Sequence, residues 1–359
     1  MKISLIIPSR NNLKYLKWCY DAIRKHQGNH TVQICVADDA STDGTWGWCL
    51  QTMQKDLHFQ AIRNNGPERQ GLVILNDKLI NEVARHEICM VYHADMYLMP
   101  GALDQIEHKL KDKTIVSLTR IEPSLHPPGP EKLLFDCGLE PEDFEEQKLL
   151  DWFDEVQLKQ LTKVTEGIFA PWAFYKKDFQ EIGGHDVLFA PQSKEDSDIF
   201  NRFQLNGIKF IQTWGGCVYH LTCRGSRFNT FSGGAPGQNS EEWLHTTTTN
   251  MIKFIKKWGT PVQHDEFMKP IVSPVYRKKI IINNTNPQIE EALEPWANNG
   301  EDVIIEVDGN KFTEEDFRYI QTMNDIIKGS GEVGEFELGN LKVTINSLET
   351  YEKELIICK

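Results

Sequence analysis

Short apolar runs and segments with helical spacing alternate along the first third of the chain. Apolar, β-branched runs predict strands, and apolar residues three or four positions apart predict helices. Strands are predicted at residues 2–8, 32–38, 57–62 and 87–93, and helices at 12–26, from Gly44 to about 55, at 70–85 and after Pro100. This order predicts an α/β fold, with a mostly parallel sheet and helices on both faces. Ligands of such sheets bind beyond the carboxyl ends of the strands.

The pattern changes in the middle of the chain. Residues 122–165 are acidic and interrupted by prolines, which predicts an insertion or a helical excursion. Another apolar strand is predicted at 208–214. Residues 222–250 are rich in Thr, Gly, Ser and Asn and are interpreted as a mobile loop. An amphipathic helix is predicted at 241–258, and prolines after it predict a boundary near residue 275, which ends the first domain, 1–275.

The remaining residues, 276–359, differ in charge from the first domain. They contain 9 Lys and Arg and 17 Asp and Glu, a net charge of −8 out of −13 for the whole chain. Strand-like runs at 278–283, 303–307, 335–345 and 354–358, with a helix at about 313–328, predict a small α+β accessory module. Binding the acceptor, forming a dimer and capping the fold are alternative roles that its sequence leaves open.

Composition narrows the function classes. With 359 residues, of which 40% are hydrophobic and 25% charged, the chain can bury a sizeable core. A net charge of −13 argues against nucleic acid as a partner, although a local basic cleft is compatible with it. The eight cysteines form no CxxC pair and predict free thiols in a reducing compartment. No apolar stretch approaches about 20 residues, so we expect no transmembrane segment and a cytoplasmic protein.

Polar residues that could bind a ligand or take part in catalysis follow three predicted strands. The first group is Pro8-Ser9-Arg10-Asn11-Asn12, and the second runs from Asp38 to Thr45. Its carboxylates could accept hydrogen bonds from a nucleobase and a ribose, or could simply end a strand and cap a helix. The third group is His93-Ala94-Asp95, which could hold a divalent cation or form a polar strand terminus.

Together these motifs resemble the inverting glycosyltransferases of family 2, over about residues 1–225. The family's second-strand signature is nearly complete at Asp38–Thr45, and His93-Ala94-Asp95 occupies the place of its Asp-x-Asp metal motif. Gly183-Gly184-His185-Asp186 and, after it, Glu195-Asp196-Ser197-Asp198 are similar to later family motifs. The resemblance implies a GT-A fold with a Rossmann-like sheet.

The resemblance also implies roles for individual residues. Asp196 would be the general base, with Glu195 as the lesser candidate, and Asp95, His220 and His93 would bind Mn²⁺ (or Mg²⁺). The residues expected to bind a nucleotide-diphosphate sugar are Pro8, Ser9, Arg10, Asp38, Asp39, Asn65, Arg69, Ala94, Arg224 and Arg227. Asp186 and Trp172 are expected at the acceptor. Asp186 could equally cap local structure, and core packing is favoured for at least two of Trp172, Trp214 and Trp243. The implied reaction is transfer from a UDP-sugar to an acceptor hydroxyl by direct displacement.

One departure from the family's motifs leaves alternative functions open. His93 stands where the family has the first Asp of its metal motif, which also suits a catalytically silent nucleotide-sugar-binding scaffold. A nucleotidyltransferase is disfavoured because the loop after the first strand lacks glycines. His220 could be a core histidine, and Arg224 and Arg227 could lie in a solvated loop. A glycan, lipid-linked glycan, protein or modified nucleic acid remains open as the acceptor, as does a homo-oligomeric state.

Overall fold

A computed structural model describes residues 1–225, 227–284 and 286–349. Within them, ten strands form one large sheet. These strands are β1 (Lys2–Ser9), β2 (Thr31–Asp39), β3 (Phe59–Asn64), β4 (Ile88–Val91), β5 (Met96–Leu98), β6 (Thr114–Glu122), β7 (Leu133–Leu134), β8 (Val164–Thr165), β9 (Trp172–Tyr175) and β10 (Lys209–His220).

The sheet is mostly parallel, as predicted. Its order is β3-β2-β1-β4-β9-β6-β10-β5, with β7 beside β6 and β8 beside β10. Parallel pairs join β3, β2, β1 and β4, and another parallel pair joins β6 to β10. Strand β9 runs antiparallel between β4 and β6 and connects the two parallel halves. The carboxyl ends of β1, β2, β4, β6 and β10 therefore meet along one edge.

Among the described residues up to Trp258, the chain contains eight α-helices. They are α1 (Leu13–His26), α2 (Thr45–Lys55), α3 (Gly71–Lys78), α4 (Ala102–Lys109), α5 (Glu146–Gln160), α6 (Lys176–Glu181), α7 (Glu195–Leu205) and α8 (Glu241–Trp258). The predicted helix at 70–85 is α3 followed by a π-helical turn over Leu79–Val83. Leu16 and Ile23 of α1 are fully buried and lie about two helical turns apart, which is how an amphipathic helix covers a sheet.

The segment 122–165 is an excursion that returns to the same sheet. Strand β7 pairs with β6, and β8 pairs with β10. Between them, α5 buries Leu149 and Phe153 in a cluster with Tyr97 and Tyr219. The excursion therefore covers one end of the large sheet and belongs to its core.

The prediction of a loop over the whole of 222–250 is wrong for its last third. Residues 241–250 belong to α8, whose N-cap Ser240 accepts a hydrogen bond from the backbone of Trp243. Irregular structure is confined to 222–240, with one short 3₁₀ turn at Thr230–Ser232. The mobility of this segment stays a prediction.

A second sheet lies beyond the predicted boundary. It contains β11 (Lys278–Asn283), β12 (Val303–Asp308), β13 (Gly334–Leu338) and β14 (Leu341–Ile345), in the order β11-β12-β14-β13. Its helices are α9 (Pro287–Leu293), α10 (Glu314–Gln321) and α11 (Met323–Ser330).

Two details of this second region differ from the sequence prediction. The single strand predicted at 335–345 is the hairpin β13–β14, and the single helix predicted at 313–328 is divided between α10 and α11. The strand predicted at 354–358 lies outside the described residues. The α+β composition is as predicted. The domain boundary near 275 stays a prediction, and Ile255 of α8 packs into the core of the second sheet.

Two further expectations concern membrane segments and cysteines. Within the described ranges, no helix combines the length and apolar character needed to cross a bilayer. The seven cysteines in these ranges are free thiols, and six of them are buried.

Lys278 is buried in the second sheet. Its burial predicts that the stability of the protein depends on pH. Its Nζ amino group donates hydrogen bonds to the carbonyl of Gly259 and to Oδ1 of Asn324, both at 2.9 Å. Burial lowers the pKa of Lys278 to about 7, whereas an unfolded lysine titrates near 10.4. Between these values the unfolded chain binds more protons, so stability should rise with pH, by up to about 1.4 kcal/mol per pH unit.

We expect the free energy of unfolding to increase from pH 7 to pH 9 more steeply in the wild type than in Lys278→Met. Urea unfolding at several pH values measures both slopes. Equal slopes in the two proteins would contradict a neutral buried amine.

Candidate active site

A pocket opens where the carboxyl ends of β1 and β2 approach the segment after β4. Its lining residues include Pro8, Ser9, Arg10, Asn12, Asp39, Arg69, Leu72, His93, Ala94 and Asp95. The pocket has fourteen lining residues, and eight of them are among the predicted site residues. We call this cavity the narrow pocket.

Asp39 closes one end of the narrow pocket and holds the start of α3. Its Oδ1 accepts hydrogen bonds from Asn64 Nδ2 at 2.7 Å and from the backbone N–H of Gln70 at 3.0 Å. Its Oδ2 accepts one from the backbone N–H of Gly71 at 2.8 Å. A carboxylate has about four acceptor positions. Oδ2 can therefore accept one more hydrogen bond, and Nε of Arg69 lies 3.9 Å from this oxygen.

Two predicted nucleotide-binding residues lie outside the pocket. Asp38 is fully buried, where its Oδ1 accepts from the backbone N–H of Ser41 and its Oδ2 lies 3.3 Å from Nε of Arg63. Because side chains alternate along a strand, Asp38 and Asp39 point to opposite faces of the sheet. Asn65 is exposed, and its neighbour Asn64 makes the contact with Asp39. The structure thus contradicts a direct contact of Asp38 or Asn65 with a ligand in this pocket.

Three predicted metal ligands converge beside the narrow pocket. One potential ligand atom from each of His93, Asp95 and His220 lies within 4.8 Å of the others. The His220 Nε2 atom is 3.5 Å from Oδ1 of Asp95, and Oδ2 of Asp95 accepts a 2.7 Å hydrogen bond from the backbone N–H of Arg224. Asp95 and His220 are buried, so their mutual attraction is poorly screened by water.

The electrostatics of this group follow from burial and from two carboxylates. Burial disfavours the charged form of His220, but Asp95 and, on the other side of the ring, Glu122 raise its pKa to about 9. Burial likewise opposes ionisation of Asp95, but His220 and His93 lower its pKa well below the usual range. The site therefore holds an ionised carboxylate between two imidazoles.

The donor set suits a divalent cation. Within the described residues, Nε2 of His220 is buried without a hydrogen-bond partner, and it is turned towards Asp95. A buried imidazole nitrogen without a partner costs free energy unless another group binds it. Two imidazoles and a carboxylate form a donor set that can bind a first-row divalent metal.

A wider cleft continues from the narrow pocket and shares Pro8, Leu72, His93 and Cys223 with it. Its volume is about 1430 Å³, including the open mouth. Glu195 and Asp196 line it at the N-terminus of α7, while Asp198 of the same turn is fully buried. Asp198 instead pairs with Arg202 at 2.8 Å and Lys257 at 2.7 Å. The acidic motif is thus divided into cleft-facing and structural carboxylates.

The two cleft-facing carboxylates have unusual proton affinities. Burial raises the pKa of Asp196, although His93 and His185 oppose the shift. Burial and the neighbouring charge of Asp196 also raise the pKa of Glu195. A carboxylate with a raised pKa is a stronger base, which suits proton removal from a hydroxyl.

The predicted arginines separate into three environments. Arg10 lines the narrow pocket, and Arg69 lies there with hydrogen bonds to Glu242 at 2.6 Å and Gln192 at 2.5 Å. Arg227 lines the wider cleft, where its guanidinium lies 4.6 Å from the ring centre of Trp243.

The Arg224 side chain, predicted to cover the diphosphate when its loop closes, lines neither the narrow pocket nor the wider cleft. Its side chain is buried, and Nη2 donates to the carbonyl of Leu139 at 2.6 Å while Nε lies 3.4 Å from Glu140. Only its backbone N–H serves the site, through Asp95. The arginine therefore fastens the segment 222–225 to the excursion that follows β6.

Both predicted acceptor residues are structural. Trp172 is fully buried among Phe174, Phe200 and Phe203, so neither face of its indole is open to a sugar. The Asp186 carboxylate accepts from the backbone N–H of Leu188 and pairs with Lys257 at 2.6 Å. The aromatic side chains that line the wider cleft are instead Phe169 and Trp243.

Sequence reasoning missed the strand that supports His220. Strand β6 is buried along its whole length and ends at Glu122, whose carboxylate lies 2.9 Å from Nδ1 of His220. The run Thr114-Ile115-Val116-Ser117-Leu118 has the β-branched composition of a strand. That signal was available, but no motif marks Glu122 itself.

The environments of the two tryptophans predict different effects of truncation. Trp172→Ala should lower the free energy of unfolding by about 3–5 kcal/mol, because it opens a cavity in the core. Trp243→Ala, at a half-exposed position, should lower it by less than about 1 kcal/mol. Urea unfolding of both variants measures these losses, and similar losses would contradict the assignment of Trp172 to the core.

The chain is similar in sequence to a known glycosyltransferase. The abequosyltransferase RfbV of Salmonella typhimurium is 27% identical over 124 residues, which are 33% of this chain and 35% of that protein. The chain thus matches about a third of the length of this relative.

Among solved structures, a mannosyltransferase from Pyrobaculum calidifontis, PcManGT with GDP-Man and Mn²⁺, aligns with a TM-score of 0.43 at 16% identity, over 61% of this chain and 56% of that one. GalNAc-T7 with UDP, GalNAc and Mn²⁺ aligns with a TM-score of 0.48 at 13% identity, over 71% of this chain and 50% of that one.

The family model for glycosyl transferase family 2 matches residues 4–183. This match includes the signature Asp38–Thr45 and His93-Ala94-Asp95, and it extends to the Gly183 motif. Because the matched residues make up just over half of the chain, the chain belongs to glycosyltransferase family 2, and its large sheet has the GT-A arrangement predicted for that family.

Proposed function

We propose that the protein transfers a sugar from a nucleotide-diphosphate sugar to an acceptor hydroxyl, with inversion at the anomeric carbon. The observation that carries this proposal is the position of His93, Asp95 and His220 where the narrow pocket meets the wider cleft, which contains Asp196. A reaction between two substrates needs two connected cavities with the leaving-group site between them.

The narrow pocket suits the nucleotide. Oδ2 of Asp39 can accept one more hydrogen bond, and the imide N–H of uracil could donate it. For this reason we propose a UDP-sugar. Arg10 and Arg69 supply positive charge near the phosphates. Binding energy from the base and ribose would hold the anomeric carbon at the junction of the two cavities.

His93, Asp95 and His220 would hold Mn²⁺ or Mg²⁺. Such a cation would offset the negative charge that develops on the leaving diphosphate. The backbone N–H of Arg224 fixes Oδ2 of Asp95, so the carboxylate presents its other oxygen to the site.

Asp196 is the proposed general base. It lies in the wider cleft, and burial raises its pKa, so it can accept a proton from the acceptor hydroxyl while that hydroxyl attacks. Glu195, the lesser candidate, is more deeply buried and carries a raised pKa of its own. Attack from the side opposite the diphosphate inverts the anomeric centre in one step.

Phe169 and Trp243 are the proposed contacts for the acceptor. Their rings line the wider cleft, and aromatic rings pack well against the apolar faces of sugars. We propose a glycan as the acceptor class, and propose residues 276–359 as a separate accessory module.

One observation favours a second candidate, a nucleotide-sugar-binding protein without turnover. His93 replaces a carboxylate of the family's metal motif, which removes one negative charge from the site. Catalysis remains the first proposal because Asp95, Asp196 and His220 are all retained around connected cavities.

Asp196→Asn should lower the transfer rate by about 10²–10⁴-fold, because the amide cannot accept the proton of the acceptor hydroxyl. The release of UDP from a UDP-sugar, measured across a panel of glycan acceptors, reports this rate. Asp154→Asn, at an exposed position of α5, is the matched control and should retain wild-type turnover. Full activity of Asp196→Asn, with loss in Glu195→Gln, would move the role to Glu195.

The product of a single displacement should have the anomeric configuration opposite to that of the donor. Proton NMR of the first product formed measures this directly, through the coupling constant of the anomeric proton. Retention of configuration would contradict the proposed role of Asp196.

A further inference from the structure

Glu122 and His220 lie side by side at the carboxyl ends of two central strands. Strands β6 and β10 are parallel, and Ile121 is in register with Tyr219, so the next residue of each strand follows at the same edge. Both side chains are buried, with exposed fractions of 1% for Glu122 and 4% for His220. Neither residue can turn to solvent without leaving the sheet.

The contact between them fixes the orientation of the imidazole ring. Oε1 of Glu122 lies 2.9 Å from Nδ1 of His220. An ionised carboxylate only accepts hydrogen bonds, so the ring proton is held on Nδ1. The Nε2 atom faces Oδ1 of Asp95 at 3.5 Å and has no hydrogen-bond partner among the described residues, so it would present a lone pair to a cation that displaced its proton.

Two buried cations hold the carboxylate of Glu122 in place. Nη1 of Arg120 lies 2.9 Å from Oε1, and Nζ of Lys132 lies 3.2 Å from Oε2. The guanidinium of Arg120 is in turn only 3.6 Å from the ring centre of Phe169. Arg120 and Lys132 thus keep Glu122 charged and fixed against His220. The carboxylate is not among the atoms that could reach the same cation as His93 and Asp95.

We propose that Glu122 is a positioning residue that prepares His220 to bind the divalent cation through Nε2. This inference rests on the proposed metal-dependent function. Carboxylates that accept the second ring proton of a metal-binding histidine orient the ring and make its other nitrogen more basic. Arg120 and Lys132 support this role because they prevent the Glu122 carboxylate from turning away from His220.

Glu122→Gln should weaken Mn²⁺ binding by about 10–100-fold, measured from the EPR signal of free Mn²⁺ in the presence of UDP. The amide of glutamine can donate to Nδ1, and the ring proton would then move to Nε2 and block the metal. Affinity for UDP without Mn²⁺ should stay unchanged, because Glu122 does not line the narrow pocket.

Glu131→Gln is the matched control. Glu131 also lies near Arg120 and Lys132, at 3.8 Å from each, but its hydrogen-bond and ion-pair partners do not include His220. This variant should bind Mn²⁺ with wild-type affinity. Equal losses in both variants would show a general effect of the charge cluster and overturn the proposal, as would unchanged affinity in Glu122→Gln.

A measurement on the wild type keeps the test independent of the folding of the variant. Nitrogen-15 NMR of the histidine rings, with Mg²⁺ and UDP bound, should show His220 protonated at Nδ1 and unprotonated at Nε2. The opposite tautomer would overturn the proposal. Absence of any Mn²⁺ binding by the wild type would instead contradict the proposed metal-dependent function, which separates the two failures.

Discussion

The pairing of Asp95 with His220 is the interaction on which the site depends. Two groups with opposite charge are buried at a sheet edge, where desolvation costs several kcal/mol per ion unless hydrogen bonds and partner charges offset it. Here the offset comes from Glu122 behind His220 and from the backbone N–H of Arg224 on Asp95. Strand β6, the loop after β10 and the segment after β4 are thereby held together at one point.

The backbone of the loop after β10 is strained next to this pair of residues. Thr222 and Cys223 both adopt positive φ angles, 72° and 58°, which side chains with a Cβ rarely do. Such backbone strain persists only where the surrounding structure enforces it. The buried Arg224 side chain supplies that constraint through Leu139, so the excursion after β6 supports the site from outside the sheet.

Much of the fold and part of the site could be predicted from local patterns. The alternation of strands and helices in the first third of the chain follows from its apolar pattern. The family resemblance and the positions of Asp39, His93 and Asp95 follow from strand ends that carry short polar motifs, and the structure brings these residues to one pocket. Their catalytic and binding roles remain proposals.

The surroundings of individual side chains were hardest to predict where tertiary packing determines them. Trp172 and Arg224 are residue types common in sugar and phosphate sites, but their burial depends on distant aromatic residues and on the segment around Leu139. Glu122 was missed because its importance comes from strand register, which the local sequence does not reveal.

The central claim is that Asp95 and His220 hold a divalent cation against the diphosphate of a nucleotide. Calorimetric titration of UDP into the wild type and into Asp95→Ala, each with and without Mn²⁺, tests it most directly. The account predicts that Mn²⁺ strengthens UDP binding to the wild type and has no such effect on the variant. Equal UDP affinity with and without Mn²⁺ in the wild type would contradict it.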